Sequence, residues 1–194
     1  MLLEQEEVNP TFFDEGGRTL LIYAAMNGLE GAVNLLLKRS DVIPDSSDED
    51  GRTPLIFAAA NGHEGIVEIL LERGDVNPNF SGTCGQTTLS YAAEFGQERV
   101  VKILLGRENI NPNLPNKYGG APLSRAAQYG HEGVVKILLG RGDVNPGWSD
   151  LAGRTPPYHV SPNRNEGVMK ILLDPRAGDL QSTTVPCGPF TRTA

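Results

Sequence analysis

The chain has 194 residues, enough for one or two ordinary domains, and its apolar fraction of 39% suits a shallow, extended core better than a single deep one. Seventeen Lys and Arg stand against 24 Asp and Glu, a formal charge of -7, opposite in sign to the footprint of a nucleic-acid binder, so DNA and RNA are excluded as expected partners. The two cysteines, Cys84 and Cys187, exclude a dense disulfide framework and a four-cysteine zinc site, and they fit a reducing compartment.

The opening segment MLLEQEEVNP is acidic, and no window approaches the roughly 18 apolar residues of a membrane span. The expected protein is soluble and intracellular, cytoplasmic or nuclear, with no membrane partner. Self-similarity then fixes the organisation. Short motifs open at Gly17 (GRTL), Gly51 (GRTP), Gly85 (GQTT), Gly119 (GGAP) and Gly153 (GRTP), each 34 residues after the last. The pairs Ala24-Ala25, Ala58-Ala59, Ala92-Ala93 and Ala126-Ala127 keep the same step, as do the Leu-Leu pairs from Leu36-Leu37 to Leu172-Leu173.

In chain order, Leu2-Leu3, Val8 and Pro10 stand one period before Leu36-Leu37, Val42 and Pro44. The expectation is that residues 1–16 form a half repeat ending a second helix, that the Gly17–Lys38 unit lacks a polar outer face, and that the chain is a fragment of a longer array or a shortened gene product, the alternative being a small protein whose open end is covered by residues 1–16 or by another copy. The unit from Gly51 shows the physics. Thr53 is placed as N-cap and Pro54 at the first helical position, where a missing N–H costs nothing. Helix one is predicted to reach about Asn61 and to stop at Gly62. Helix two gathers Ile66, Val67, Ile69, Leu70 and Leu71 on one face, with Glu64, Glu68 and Glu72 opposite, and is predicted to end at Gly74. The turn-rich segment DVNPNFSGTC supplies an extended, hairpin-like finger.

So short a helix pair cannot bury its apolar sides alone, and stacking on the next unit supplies the core. The fifth unit, GRTPPYHVSPNRNEGVMKILLDPRAG, carries Pro157, Val160-Ser161 and Pro162 in place of Leu and the alanine pair. Its first helix is expected to be broken, its second to run from Asn165 to Leu173 before Pro175, and the unit to act as a cap. Residues 174–194 lack periodicity and read as a flexible tail.

The unit GRTPLIFAAANGHEGIVEILLERGDVN resembles the ankyrin repeat in its Gly-x-Thr-Pro-Leu, Ala-Ala, Gly-His and Leu-Leu text. It departs from that family in its period, 34 residues against the usual 33, and in Ile56, Ser90 and Ser124 where His is frequent. The resemblance implies an all-α solenoid over residues 1–173, with about four full repeats starting near 17, 51, 85 and 119, a leading half repeat and a degenerate repeat at 153–173. The wording is most similar to fungal arrays, which are often attached to large signalling ATPases. The implied function is a non-catalytic module holding a protein partner on its concave face. A structural or self-associating scaffold fragment of such a larger protein is the alternative, with self-association through the uncapped N-terminal end.

Carried over by position, the concave face holds a column of Tyr23, Phe57, Tyr91, Arg125 and His159. Flanking columns hold Arg18, Arg52, Gln86, Gly120 and Arg154, and Met26, Ala60, Glu94 and Gln128. Lys117 and Tyr118 add contacts near the fourth finger tip. Tyr and Arg are favoured interface anchors; packing on the next repeat is the competing role for Tyr23, Phe57 and Tyr91. The run DSSDED at Asp45–Asp50 reads as a solvated loop or, failing that, a site for a basic partner or cation. Trp148 reads as packing between fingers, with an exposed anchor as the alternative. His63 and His131 recur beside Gly62 and Gly130, about 20 Å apart for helices packed at 8–10 Å, which is structural placement and not a shared metal site. Cys84 has no His nearby in sequence, no phosphate loop, zinc cluster or nucleophile elbow occurs, and neither a catalytic residue nor a cofactor is expected.

Overall fold

The computed structural model describes residues 12–160 and 165–174. Ten helices lie among them, in five pairs: α1 (Leu20–Met26) and α2 (Glu30–Leu36), α3 (Pro54–Asn61) and α4 (Glu64–Leu71), α5 (Thr88–Glu94) and α6 (Glu98–Leu105), α7 (Pro122–Tyr129) and α8 (Glu132–Leu139), α9 (Pro156–His159) and α10 (Glu166–Leu173). Each helix packs on its own partner and on its counterpart in the adjoining repeat. A single ribbon of buried side chains results, running from Leu21 to Val168, as expected for units that shield each other's apolar faces.

First helices start where the sequence places them. The hydroxyl oxygens of Thr19, Thr53 and Thr87 accept the N–H groups of Ile22, Ile56 and Ser90 at 3.3, 3.4 and 3.2 Å, and Pro54 occupies the first turn of α3. Gly62 ends α3 with φ 76°. A side chain at Gly62 would also meet Gln97 of the next repeat, whose Oε1 lies 2.5 Å from where a Cβ would sit. The left-handed turn demands glycine, and a side chain there would also have to displace Gln97.

Second helices differ from expectation at their ends. α4 stops at Leu71, not at Gly74, with Glu72 as its cap donating to Glu68 O at 3.0 Å and the Arg73 N–H tightening the turn onto Leu70 O at 3.3 Å. Arg73 then folds back on Asp75 at 2.8 and 2.7 Å and donates to Leu37 O, at the end of α2, at 3.1 Å. Arg141 does the same with Asp143 and with Leu105 O at the end of α6. A helix end in one repeat is thus completed by an arginine from the next.

The fingers form their own ladder. Backbone N–H groups of Glu49, Thr83, Lys117 and Leu151 donate to the carbonyls of Gly16, Asp50, Cys84 and Tyr118 at 2.8–3.1 Å, one bond per junction. At four of the five finger bases an Asx side chain, Asp14, Asp48, Asn116 or Asp150, accepts two backbone N–H groups of its own turn, and the third finger has Gly82 at that position. The DSSDED segment is consequently no free charge run. The Asp48 side chain is 1% exposed and paired with Arg52, Asp50 pairs with the same guanidinium, and Asp45 accepts the Asn77 N–H of the next finger at 2.7 Å. Trp148 is half-buried, its Nε1 donating to Gly119 O at 3.1 Å, and so packs between fingers.

The fifth first helix has four residues and ends as Val160 turns extended, with ψ 120°; the break expected there is present. α10 runs to Leu173, with Asn165 as its cap. The proposed half repeat up to residue 11, together with Pro162, Pro175, Cys187 and the tail beyond Asp174, lies outside the described residues. Among the described residues no helix is long and apolar enough to cross a membrane.

Candidate functional site

Successive first helices and finger bases line one side of the stack. His63 and His131 stand behind this side, donating from Nε2 to Met26 O and Glu94 O of the preceding repeat at 3.1 and 2.8 Å. Gln97 fills the same role towards Ala60 O at 3.0 Å. These bonds satisfy carbonyls at the ends of first helices and hold neighbouring helices in register, which sets the spacing of everything displayed in front.

The column residues meet different fates. Tyr23 is exposed, and its hydroxyl donates to Asp14 Oδ2 at 2.6 Å. That bond holds the Asp14 carboxyl below its usual range and raises the Tyr23 hydroxyl. Phe57 is only 8% exposed. The guanidinium carbons of Arg18 and Arg52 sit 6.0 and 5.0 Å from its ring centroid, so Phe57 forms the floor of the groove and is not a protruding anchor. Tyr91 is half-buried, and burial raises its hydroxyl. Gln86, 7% exposed, is likewise no surface contact: its Nε2 donates to Glu94 Oε2. Glu94 also draws Arg125, whose Nε lies 3.6 Å away, while Arg125 Nη1 donates to Gln128 Oε1 at 3.2 Å. Met26 and Ala60 are half-buried beside the first of these residues. Lys117 and Tyr118 are exposed at the finger edge and stack on each other, Nζ 5.1 Å from the ring centroid.

Two clefts open into this side. The first, about 270 Å³, is lined by Met26, Arg52, Ile56, Phe57, Ala60, Asn61, Tyr91 and Phe95. The second, about 260 Å³, includes Ser124, Arg125, Gln128, Asp150, Arg154 and His159. Ile56, Phe57, Ala60 and Tyr91 stand 68 residues, two repeats, before Ser124, Arg125, Gln128 and His159. It is one backbone cleft built twice, apolar in the second and third repeats and polar in the fourth and fifth.

In the polar cleft Asp150 is fully engaged. Oδ1 accepts the N–H groups of Ala152 and Arg154 at 2.9 Å, and Oδ2 accepts Arg154 Nε at 2.8 Å. The Arg154 guanidinium, chiefly, lowers this carboxyl to about 2. His159 Nε2 lies 3.3 Å from Asp150 Oδ2 but without hydrogen-bond alignment. Among the described residues the buried atoms Ser124 Oγ, Arg125 Nε and His159 Nε2 make no hydrogen bond, the last two facing Glu94 and Asp150 as ion pairs.

Sequence reasoning identified the column but not the Asx residue three positions before four of the five opening glycines, nor Ser124 and Phe95 as lining groups. The recurrence of Asp14, Asp48, Asn116 and Asp150 at multiples of 34 was a legible signal. Ser124 recurs with Ser90 one period earlier, but the serine pair carried no sign of which of the two lines a cleft. Among the described residues no group of three His, Cys, Asp or Glu side chains converges for a metal ion.

A family model described as ankyrin repeats (3 copies) matches residues 1–80, 74–147 and 89–184. The chain belongs to the ankyrin-repeat family, whose repeats generally mediate protein–protein interaction and whose domains are typically non-catalytic. A search of curated proteins gives no match.

Proposed function

We propose that this chain is a non-catalytic interaction module acting inside the cell, and that a protein partner lies along the side lined by Tyr23, Tyr91, Arg125 and His159. The observation that carries this reading is the pair of register-matched clefts, which combine apolar and hydrogen-bonding surface along one groove. Arg18, Arg52, Met26, Glu94 and Gln128 contribute the walls, Lys117 and Tyr118 the rim beside the fingers. Phe57 and Gln86 support it from beneath.

Replacing Tyr91 and Arg125 together by Ala tests the assignment. Affinity for a bound protein should fall at least tenfold, about 1.4 kcal/mol or more, with unchanged helical circular dichroism. Retained affinity would move the binding surface elsewhere.

Self-association is the second reading, favoured by Leu29. This residue takes the register of His63, Gln97 and His131 but is apolar and 54% exposed, beside a cleft lined by Leu20, Ala24, Ala32 and Leu36. Light scattering that shows one mass across a hundredfold concentration range would remove it.

A further inference from the structure

We infer that Asp45 is a pH-sensitive joint between repeats: with its carboxyl protonated it donates to Asp75 O and ties the finger between α2 and α3 to the finger between α4 and α5, and with the carboxyl ionised that tie is open. The inference is independent of the groove reading above and gives a role to an acidic segment that the groove does not use.

The fingers carry a side-chain ladder. Position 45 recurs at 79, 113 and 147, as Asp45, Asn79, Asn113 and Gly147. Each asparagine spans one junction with both ends of its amide. Asn79 Oδ1 accepts the Asn111 N–H at 3.1 Å, while its Nδ2 donates to Asn109 O at 2.6 Å. Asn113 repeats the pair, accepting the Asn145 N–H at 2.9 Å and donating to Asp143 O at 2.5 Å. Asp45 makes the first bond only, Oδ2 accepting the Asn77 N–H at 2.7 Å. Oδ2 therefore takes the place of the amide oxygen, which puts Oδ1 in the place of the amide nitrogen, opposite Asp75 O by the same register. Oδ1 is buried and makes no hydrogen bond among the described residues. An ionised carboxylate can only accept and has nothing to give a carbonyl oxygen, whereas a protonated one has the donor that Asn79 and Asn113 supply. Leaving a buried polar atom unpaired is costly.

The surrounding charges favour the proton. Across the junction stands the Asp75 carboxylate, held by Arg73 at 2.8 and 2.7 Å, and on the near finger Asp41 is held by Arg39 at 3.1 and 3.0 Å. Both neighbouring arginines are thus taken by other acids. Burial first, opposed by the Asn77 N–H and assisted by the Asp75 charge, raises the Asp45 carboxyl from its ordinary 3.8. Because the folded value is the higher one, the folded chain takes up this proton first on acidification. The tie is complete below 3.8 and is lost as pH rises through the folded value.

The test uses the whole chain and single variants whose unfolding equilibrium is read from urea midpoints. At pH 7 Asp45→Asn should lower the unfolding constant about threefold or more, the scale of one net hydrogen bond, because the amide completes the ladder. That gain should close as pH falls towards 4 and the parent's own carboxyl acquires its proton. Asp45→Ala removes the charge, supplies no donor and loses the bond to Asn77, so it should stay less stable than Asp45→Asn at every pH. Asn79→Asp should build the same joint one repeat on, losing stability at pH 7 by a similar factor and recovering it in acid. Carbon-13 titration of the Asp45 carboxyl in the folded chain should give a midpoint above 3.8. An Asp45→Asn chain no more stable than the parent at pH 7, a gap that ignores pH, or an Asp45 midpoint at or below 3.8 overturns the inference. So does stabilisation by added calcium of the parent but not of Asp45→Asn, which would give Oδ1 to a cation instead of a proton.

Discussion

The junction between the second and third repeats and the junction between the fourth and fifth share one backbone plan and differ in nearly everything it displays. In the first, α3 runs eight residues against α5, and Phe57 lies under Arg18 and Arg52. In the second, α9 has only four residues to set against α7, and Arg125 and His159 face Glu94 and Asp150 at 3.6 and 3.3 Å. Yet the finger bonds persist, with Thr83 reaching Asp50 O in one and Leu151 reaching Tyr118 O in the other. The comparison teaches that the stack is held by its buried ribbon and finger ladder, which leaves the groove positions free to change chemistry from repeat to repeat.

Breaking the ribbon should hurt most in the interior. Leu104 is fully buried between repeats, while Leu172, two repeats on, is only partly covered. Leu104→Ala should cost about 2–5 kcal/mol and Leu172→Ala less than half as much, both by urea unfolding. Equal losses would mean that the last repeat is as enclosed as the third.

Gly119 and Gly153 sharpen the same contrast, since both open a unit with φ near 80°, at 84° and 76°. A Cβ at Gly119 would lie 2.6 Å from Leu151 N in the next finger, but at Gly153 it meets nothing within 4 Å among the described residues. Alanine at Gly153 should cost only the left-handed conformation, about 1–2 kcal/mol, and alanine at Gly119 clearly more, because backbone must move as well. Thermal melts of the two variants give the difference, and its sign is the test.

A smaller effect separates the caps. Thr53 accepts the Ile56 N–H, whereas the Thr155 side chain makes no capping bond. Thr53→Ala should cost about 1 kcal/mol and Thr155→Ala close to nothing, measured by denaturant midpoints. A cost at Thr155 equal to that at Thr53 would show that the shortened α9 depends on its cap after all.

How much of this was legible follows from where information lies in a repeat. Thr53, Pro54 and Gly62 announce a helix start and stop through local backbone chemistry, and Pro162 warns that the fifth first helix cannot continue. Helix two ended earlier than Gly74 suggested, and just past its end Arg73 reaches Leu37 O in the repeat before, a contact 36 residues away that local propensity does not carry. The groove column was readable as a register, but not its exposure: Phe57 sinks because arginines from two repeats close over it. Ser124 became visible only once Ala121 was seen to leave it without the bond that Thr87 gives Ser90.

The smallest effect concerns the charge that closes the last finger. Asp150 and Asn116 do the same backbone work one repeat apart, each accepting two N–H groups of its own turn. Only Asp150 adds an ion pair, with Arg154 Nη2 at 2.7 Å, and its carboxyl falls from 3.8 to about 2. Because the folded value is the lower one, the unfolded chain binds the proton first on acidification. The contribution is therefore complete above pH 4 and disappears as pH falls towards 2. Asp150→Asn keeps the acceptor that Asn116 shows to be sufficient for the turn and removes the titration. The variant should be slightly less stable than the parent at pH 6, and the two stabilities should converge at low pH, read from denaturant midpoints and from amide exchange at Ala152 and Arg154. A gap that stays constant down to pH 2 would assign the advantage of aspartate to shape and not to charge.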